Sequence, residues 1–159
     1  MNRNNTCCFT GHRPEFLTAT EAQVYEWLET QVREAVSNGY VNFISGMQRG
    51  VDIYAAEIVL KLKKEGLPVK LICACAWNGM HAQWEQSWID KYHIITELAD
   101  EVHYVSSLPG RKAFFARNCW MVDRSSLFLA VYNGKKGGTK HTIDYACQKG
   151  LEVRIMKNE

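Results

Sequence analysis

The feature that most constrains this chain is a regular alternation of short apolar segments with longer segments of helical period. Segments of strand length occur at residues 5–10, 41–45, 69–75, 101–105, 127–132 and 153–156. Between them, apolar residues recur every three or four positions, which is typical of helices packed on one face. The segments 69–75 and 127–132 are almost wholly apolar, as expected for strands buried on both faces of a parallel sheet. The sequence therefore predicts a doubly wound α/β fold with a mainly parallel sheet and helices on both faces.

The length and composition predict one compact domain. The chain has 159 residues, which is a common size for one core, so we predict a single domain over residues 1–159. Its hydrophobic share of 47% excludes an intrinsically disordered chain, and its net charge of +2 is too small to predict a nucleic-acid partner by electrostatics alone. No apolar segment approaches the roughly 18 residues of a membrane span, and the first residues resemble no signal peptide. We therefore expect a cytoplasmic protein that does not contact membranes.

The cysteines are expected to be reduced and structural. Four lie in predicted strands and two in predicted helices: Cys7, Cys8, Cys73, Cys75, Cys119 and Cys147. Neighbouring residues of a strand point to opposite faces, so Cys7 and Cys8 should enter different sides of the sheet. Metal binding by Cys73 and Cys75 is the alternative, but no second cysteine or histidine pair stands at zinc spacing. We predict buried thiols, no disulfide and no metal.

Three predicted strands end in glycine-containing loops, at residues 10–13, 46–50 and 134–139. In a doubly wound sheet, ligands bind at the carboxyl ends of the strands, near the point where the strand order reverses. Gly137, Gly138 and Thr139 directly precede a predicted helix, whose first backbone amides favour an anion such as phosphate. An ordinary strand-to-helix turn is the alternative for this loop. The coincidence of three loops predicts a phosphate-bearing ligand at this edge of the sheet.

Several polar residues near these loops each have two interpretations. Asp52 either caps the helix that follows its loop or contacts a ligand, and a sugar hydroxyl or a cation suits a carboxylate better than phosphate does. His12 is either a hydrogen-bonding structural residue or an acid–base group. Arg13 and Arg117 are phosphate contacts or solvated side chains. Asp123 either orients a ligand or caps a helix end.

Aromatic residues offer a further candidate contact, because a base can stack on a tryptophan ring. Trp77, Trp84 and Trp88 are the candidates. Trp84, Trp88 and Tyr92 recur every four residues, however, and this spacing predicts that they lie on one helix and pack into the core. The glycine loops match neither a Walker A loop nor the Gly-x-Gly-x-x-Gly pattern of dinucleotide enzymes.

The loop sequences together resemble a known family. TGHRP at residues 10–14, SGMQRGVD with the following AAE at 45–57, RNCWMVDRSS at 117–126 and GKKGGTKHTIDYA at 134–146 are similar to the YpsA-like proteins. These belong to the SLOG superfamily of Rossmann-like domains, which includes the DprA DNA-processing proteins and the LOG cytokinin-activating enzymes. The resemblance covers essentially the whole chain. It implies a nucleotide or nucleotide-derived ligand, similar to ADP-ribose or NAD, across the loops at residues 46–50 and 134–139.

The resemblance to LOG enzymes also bears on catalysis. Those enzymes hydrolyse the N-glycosidic bond of nucleoside monophosphates with an arginine and a glutamate. Arg117 matches the arginine, and Gly138 and Thr139 match the Gly-Thr of the second motif, but Thr142 stands at the glutamate position. A threonine neither activates water nor stabilises an oxocarbenium-like transition state as a carboxylate does. This departure disfavours phosphoribohydrolase activity.

The sequence thus predicts a domain that binds or senses a nucleotide-like ligand. The alternatives are a nucleotide-processing hydrolase, of the N-glycosidase or ADP-ribose hydrolase type, and a DprA-like single-stranded DNA binder. A hydrolase would need a carboxylate, for which Asp52, Glu57 and Asp123 are candidates. Self-association is a further expectation, because related folds often form dimers. The expected ligand contacts are Gly11, His12, Arg13, Ser45, Gly46, Met47, Gly50, Asp52, Arg117, Asn118, Gly137, Gly138 and Thr139.

Overall fold

The computed structural model describes residues 1–157 and contains six strands and five α-helices within them. The strands are β1 (Thr6–Thr10), β2 (Asn42–Ser45), β3 (Lys70–Trp77), β4 (Glu101–Ser106), β5 (Leu127–Tyr132) and β6 (Glu152–Lys157). The helices are α1 (Glu21–Ser37), α2 (Val51–Lys64), α3 (Gln86–Leu98), α4 (Arg111–Asp123) and α5 (Gly138–Gln148). Short 3₁₀ turns occupy Arg3–Asn5 and Pro14–Phe16. Strand and helix alternate as the sequence predicts.

All six strands form one parallel sheet in the order β4-β3-β2-β1-β5-β6. The α/β prediction is therefore confirmed. The chain first builds outward from β1 to β4 and then returns to place β5 on the other side of β1. The strand order thus reverses between β1 and β5, where Cys8 pairs with Phe128 and Thr10 with Ala130. A crevice at the carboxyl ends of these two strands is where such sheets bind ligands.

Two apolar cores cover the two faces of the sheet. The helices α1, α2 and α3 contribute to the first core and α5 to the second, whereas α4 contributes Ala113 to the first and Met121 to the second. Cys7 belongs to the first core and Cys8 to the second, as the strand period predicts. Cys73 and Cys75 are buried on the first side and, like every described cysteine, are not in a disulfide. The prediction of burial is wrong for Cys147, which is exposed on the outer face of α5, and only partly right for Cys119 on α4, which is half-buried.

The segment before α3 departs from the prediction. Trp84 was expected on the same helix as Trp88 and Tyr92, but α3 begins only at Gln86. Trp84 lies in a succession of turns after β3, where its amide donates to the carbonyl of His81 at 3.1 Å. Glu85, with ψ of 149°, interrupts the helical conformation between the two tryptophans. The four-residue spacing of Trp84, Trp88 and Tyr92 therefore includes a turn and does not define a single helix.

No helix within residues 1–157 combines the length and the apolar character that crossing a membrane requires.

Candidate functional site

An open cleft of about 280 Å³ lies at the carboxyl ends of the strands, beside the reversal of strand order. The loops after β1, β2 and β5 form its floor and walls, and the first half of α4 borders it. Its lining residues are Thr10, Gly11, His12, Arg13, Phe16, Gln48, Asp52, Arg111, Phe114, Arg117, Asn118, Gly138 and Thr139. The cleft therefore combines cationic, aromatic and glycine positions around one buried carboxylate.

Asp52 is the buried carboxylate. Its side chain lies in the first turn of α2, and the residue is 6% exposed. The Oδ2 atom accepts the amide of Gln48 at 3.3 Å, whereas Oδ1 is buried and has no hydrogen-bond partner among the described residues. Burial raises the pKa of Asp52 to about 6, although the Arg117 guanidinium and the Gln48 amide act in the opposite direction. A buried acceptor without a partner costs free energy, and a donor from a ligand would remove that cost.

Asp52 is not the cap of its helix. Gly50 occupies the N-cap position of α2, and no side chain caps the helix there. The backbone carbonyl of Asp52 accepts the hydroxyl of Ser45 at 2.7 Å, which fixes the first turn of α2 to the end of β2. The same hydroxyl accepts the amide of Met47 at 3.2 Å. Met47 has φ of 61°, a left-handed conformation that non-glycine residues rarely adopt, and its side chain is fully buried.

Arg117 lines the cleft but is buried rather than solvated. Its Nη1 donates to the carbonyl of Gly46, and its Nε donates to Asn118 Oδ1 at 2.8 Å. Asn118 Nδ2 then donates to Thr142 Oγ1 at 3.0 Å, and the Thr142 hydroxyl donates to the carbonyl of Gly138 at 2.9 Å. This chain of hydrogen bonds joins α4 to the first turn of α5. It holds the guanidinium in one position and keeps its charge close to Asp52, whose negative charge opposes the pKa decrease that burial causes in Arg117.

Two glycines permit the close approach of the loops after β1 and β2. A Cβ on Gly11 would lie 2.3 Å from the Cβ of Val51, so α2 packs directly on the first loop. A Cβ on Gly50 would lie 2.4 Å from the carbonyl oxygen of His12, and Gly50 also has φ of 93°. The Val51 amide donates to that same carbonyl at 3.3 Å. Gly11 and Gly50 therefore allow the loop after β1 to contact the start of α2 closely.

His12 connects the loop after β1 to the loop after β5. Its Nε2 accepts the backbone amide of Asn133 at 2.9 Å, and its Nδ1 lies 3.3 Å from Thr139 Oγ1. Because a backbone amide only donates, Nε2 must be unprotonated, and the proton of the neutral ring is therefore on Nδ1. Burial lowers the pKa of His12, which favours this neutral form.

The start of α5 leaves space for an anion. Gly137 is the N-cap with φ of 148°, no side chain caps the helix, and its first turn contains no acidic residue. Apart from its chain neighbours and the backbone of its own helix, no atom lies within 4 Å of the position that a Cβ on Gly138 would occupy. The first amides of a helix have no acceptor within the helix and carry a partial positive charge. The start of α5 therefore faces the cleft with unused donors beside Thr139.

Comparison with known families assigns the chain. The sequence profile described as the YspA SLOG family matches residues 7–156, which contain every motif that carries the resemblance. The chain belongs to the YspA SLOG family. Family members that it resembles include a UPF0398 protein of Halalkalibacterium halodurans, 30% identical over 113 residues that cover 70% of this chain and 60% of the relative. A UPF0398 protein of Oceanobacillus iheyensis is 29% identical over 120 residues, covering 74% and 65%. The chain thus spans less than two thirds of these relatives' length.

Solved structures with the same fold include two DNA processing proteins A. The protein of Streptococcus pneumoniae superposes with a TM-score of 0.66 at 16% identity, over 94% of this chain and 49% of that one. The protein of Helicobacter pylori, which is described as binding single-stranded DNA, also gives 0.66, at 19% identity and over 94% and 64%. At these identities the comparison establishes the Rossmann-like fold of this family member.

The structure brings most of the residues predicted for the site to one cleft. Gly11, His12, Arg13, Asp52, Arg117, Asn118, Gly138 and Thr139 line it. Ser45, Gly46, Met47, Gly50 and Gly137 lie behind or beside the lining, where they shape the loops. Of the carboxylates considered for catalysis, only Asp52 lines the cleft. Glu57 accepts the Tyr25 hydroxyl at 2.6 Å, and Asp123 accepts the Tyr145 hydroxyl at 2.7 Å, both away from the lining.

Other lining residues were not singled out from the sequence. They are Thr10, Phe16, Gln48, Arg111 and Phe114. Thr10 and Gln48 belong to loops that were predicted, so their position next to the glycines was the available signal. Arg111 and Phe114 lie on the first half of α4, which crosses the end of the sheet after β4. No local pattern indicates that this helix borders loops more than 50 residues away.

Proposed function

We propose that this protein binds a nucleotide-derived ligand in the cleft, with a sugar hydroxyl on Asp52 and a phosphate at the start of α5. The observation that carries the proposal is the buried Oδ1 of Asp52, which lacks a partner among the described residues. An ionised carboxylate accepts hydrogen bonds only, and adjacent ribose hydroxyls are donors that suit it. A phosphate or a second carboxylate at this position would be repelled by the negative charge of Asp52.

The two helix starts at the cleft differ in the charge that they favour. Asp52 lies in the first turn of α2 and already accepts the Gln48 amide, so an anion there would meet a negative charge. The first turn of α5 has no acidic residue and has open space over Gly138. Arg13 and Arg111 also line the cleft. These contrasts support a phosphate at α5 and a hydroxyl-rich sugar at α2.

Binding without turnover fits these side chains better than hydrolysis. Thr142, at the position of the LOG glutamate, is 1% exposed and uses its hydroxyl in the chain between Asn118 and Gly138. The hydrolase alternative therefore depends on Asp52, the one candidate carboxylate that lines the cleft. A general base needs access to a water molecule and a suitable pKa, and the pKa of about 6 for Asp52 keeps this alternative open to test.

The proposal is tested by thermal shift with AMP, ADP, ADP-ribose, NAD and ribose 5-phosphate, followed by mass spectrometry of each mixture. A ligand that binds only the folded state raises the melting temperature by mass action. We expect a shift with a nucleotide that is recovered intact, and loss of that shift in Asp52→Asn. A shift that Asp52→Asn leaves unchanged would contradict the site. Recovery of free base or ribose phosphate, again lost in Asp52→Asn, would identify a hydrolase instead.

Single-stranded DNA is the second candidate ligand. It is favoured by Phe16, which is 55% exposed at the cleft beside Arg13, because aromatic and cationic side chains together bind unpaired bases. The fold that this chain shares with the Helicobacter pylori protein also supports single-stranded DNA as a candidate. A fluorescent oligothymidine titrated at low and then at rising salt tests the idea. Binding that weakens steeply with salt and is reduced in Phe16→Ala supports DNA, and absence of binding at low salt excludes it.

A further inference from the structure

A second cavity of about 350 Å³ adjoins the cleft. It lies between the loop after β2, the turns between β3 and α3, and the first half of α4. Arg13, Gln48 and Phe114 line both spaces, so the two adjoin at these three side chains. Arg49, Met80 and Trp84 complete the inner part of the second cavity, and Gln83 and Glu85 lie at its exposed rim. A ligand that fills the cleft therefore lies next to the second cavity at Arg13.

We propose that this second cavity is a ring-binding subsite, so that the ligand has a ring-bearing group on each side of a diphosphate. The inference rests on the proposed function, because it assumes that one nucleotide half occupies the cleft. The first phosphate would lie at the start of α5 as proposed above, the second would extend toward Arg13, and the second ring would lie against Trp84. The assigned ligand class is thus a two-part, dinucleotide-type molecule rather than a mononucleotide.

The apolar walls of the cavity suit a flat ring. Trp84 is partly buried and lies outside any helix, in the turns that follow β3. Its indole contacts the His81 ring edge-on, with centroids 6.3 Å apart, which leaves it at the border of the core rather than inside it. Met80 is 6% exposed, and its thioether is polarizable and adapts to aromatic partners. Phe114, which also lines the cavity, contacts Trp77 edge-on at 5.0 Å between centroids.

Arg49 supplies a donor, its Nε atom, that has no acceptor among residues 1–157. Its Nη2 pairs with Glu15 Oε1 at 3.0 Å, but its Nε is buried and makes no hydrogen bond to any described residue. A buried donor without an acceptor is unusual in native structures. A carbonyl or ring nitrogen of the second ring, or an oxygen of the diphosphate, would satisfy it. The cavity thus combines stacking surfaces with an unused donor, which is how ligand subsites are generally built.

The test compares ADP with NAD and diadenosine diphosphate by isothermal titration of the wild type and of variants of the second cavity. Stacking of a base on an aromatic side chain contributes about 1–3 kcal/mol, so we expect the two-ring ligands to bind at least about fivefold more tightly than ADP. Trp84→Ala should remove this gain and leave the affinity for ADP unchanged. Trp84→Phe should restore most of it. Binding of NAD should also quench tryptophan fluorescence in the wild type and not in Trp84→Phe.

A second variant keeps the test independent of the stability of Trp84→Ala. Gln83→Trp places a large side chain at an exposed rim position and should obstruct the second cavity alone. Gln86→Trp is the matched control, because Gln86 is exposed three residues away and does not line the cavity. Equal affinities for ADP and both two-ring ligands, with ADP binding still lost in Asp52→Asn, would overturn the subsite and leave the proposed function intact. Absence of binding by all three ligands would overturn both.

Discussion

Arg117 and Asp52 face each other across the backbone of Gly46: a Cβ there would lie 2.8 Å from Arg117 Nη1 and 2.9 Å from Asp52 Oδ2. Both side chains are buried, and Arg117 also donates a hydrogen bond to the Gly46 carbonyl. The corner therefore has room for a hydrogen atom and for no carbon. It sets the position of the one buried carboxylate of the cleft, and with it the geometry that a ligand would meet.

Replacing Gly46 by alanine should displace this pair. The added methyl group would be too close to both side chains, and neither has free space, since Arg117 is tied to Asn118 and Asp52 to the Gln48 amide. We expect a loss of about 1–3 kcal/mol in the free energy of unfolding and at least a tenfold loss of affinity for the nucleotide that binds. Urea unfolding and isothermal titration measure the two effects. Wild-type values for both would show that the corner is not tightly packed.

Asp52→Asn should stabilise the protein while it abolishes binding. Burial raises the pKa of Asp52 from 3.8 to about 6, so ionisation disfavours the folded state at neutral pH. One pKa unit corresponds to about 1.4 kcal/mol, so asparagine should increase the free energy of unfolding at pH 7.5 by up to roughly 3 kcal/mol. Its side-chain oxygen still accepts the Gln48 amide, so the amide nitrogen takes the position of Oδ1, where it cannot accept a hydrogen bond from a sugar hydroxyl.

The pH dependence provides the control for this variant. A group with a raised folded-state pKa gives stability that is complete below about pH 4 and is lost as the pH rises through about 6. The advantage of asparagine over the wild type should therefore vanish near pH 4 and be complete above pH 7. Nucleotide affinity of the wild type should fall below about pH 6, as Asp52 becomes protonated. An advantage that stays constant from pH 4 to 8 would assign the stabilisation to another cause.

The fold was predictable from the sequence because buried parallel strands leave a simple pattern. The segments 69–75 and 127–132 have no solvent face, so they are continuously apolar, whereas each helix shows its one buried face. The failure at Trp84 shows the limit of periodicity. Apolar residues four positions apart can lie on one helix or on either side of a turn. Here the extended backbone of Glu85 shows that a turn precedes the helix.

The site was predictable only as far as single loops define it. Glycines at strand ends indicated the correct edge of the sheet, but the sequence does not distinguish a glycine that contacts a ligand from one that admits a neighbouring loop. Gly50 is of the second kind, since a Cβ there would meet the His12 carbonyl. Glu57 lies five residues after Asp52 on α2, about 140° around the helix, which turns it away from the cleft. Arg111 and Phe114 line the cleft because α4 lies next to loops that are distant in the sequence, and no local sequence pattern indicates this contact.

Thr142 should be a structural hydroxyl, and the variants Thr142→Val and Thr142→Ser separate the hydroxyl from the shape of the side chain. Valine keeps the shape but leaves the Asn118 amide without its acceptor, so we expect a loss of about 1–3 kcal/mol in unfolding free energy and weaker nucleotide binding. Serine keeps the hydroxyl and should remain close to the wild type. Thermal unfolding and titration of the three proteins measure this. Equal stability of the valine and wild-type proteins would mean that the hydrogen bonds linking Arg117 to α5 contribute little to the free energy of unfolding.

Replacement of Gly138 should separate folding from binding. Apart from its chain neighbours and the backbone of its own helix, no atom lies within 4 Å of a Cβ at this position. Gly138 begins α5 and does not have a left-handed φ, so a side chain there meets no steric barrier from the rest of the domain. Alanine in place of a helical glycine usually stabilises a protein by about 0.4–1 kcal/mol, so Gly138→Ala should keep or raise the melting temperature. Gly138→Leu should fold as well, yet its side chain would occupy the space over the α5 amides where the phosphate is proposed. We expect nucleotide affinity to fall at least tenfold in Gly138→Leu, with a smaller decrease in Gly138→Ala. Full affinity in a folded Gly138→Leu protein would place the phosphate elsewhere, because an anion cannot share that space with a leucine side chain.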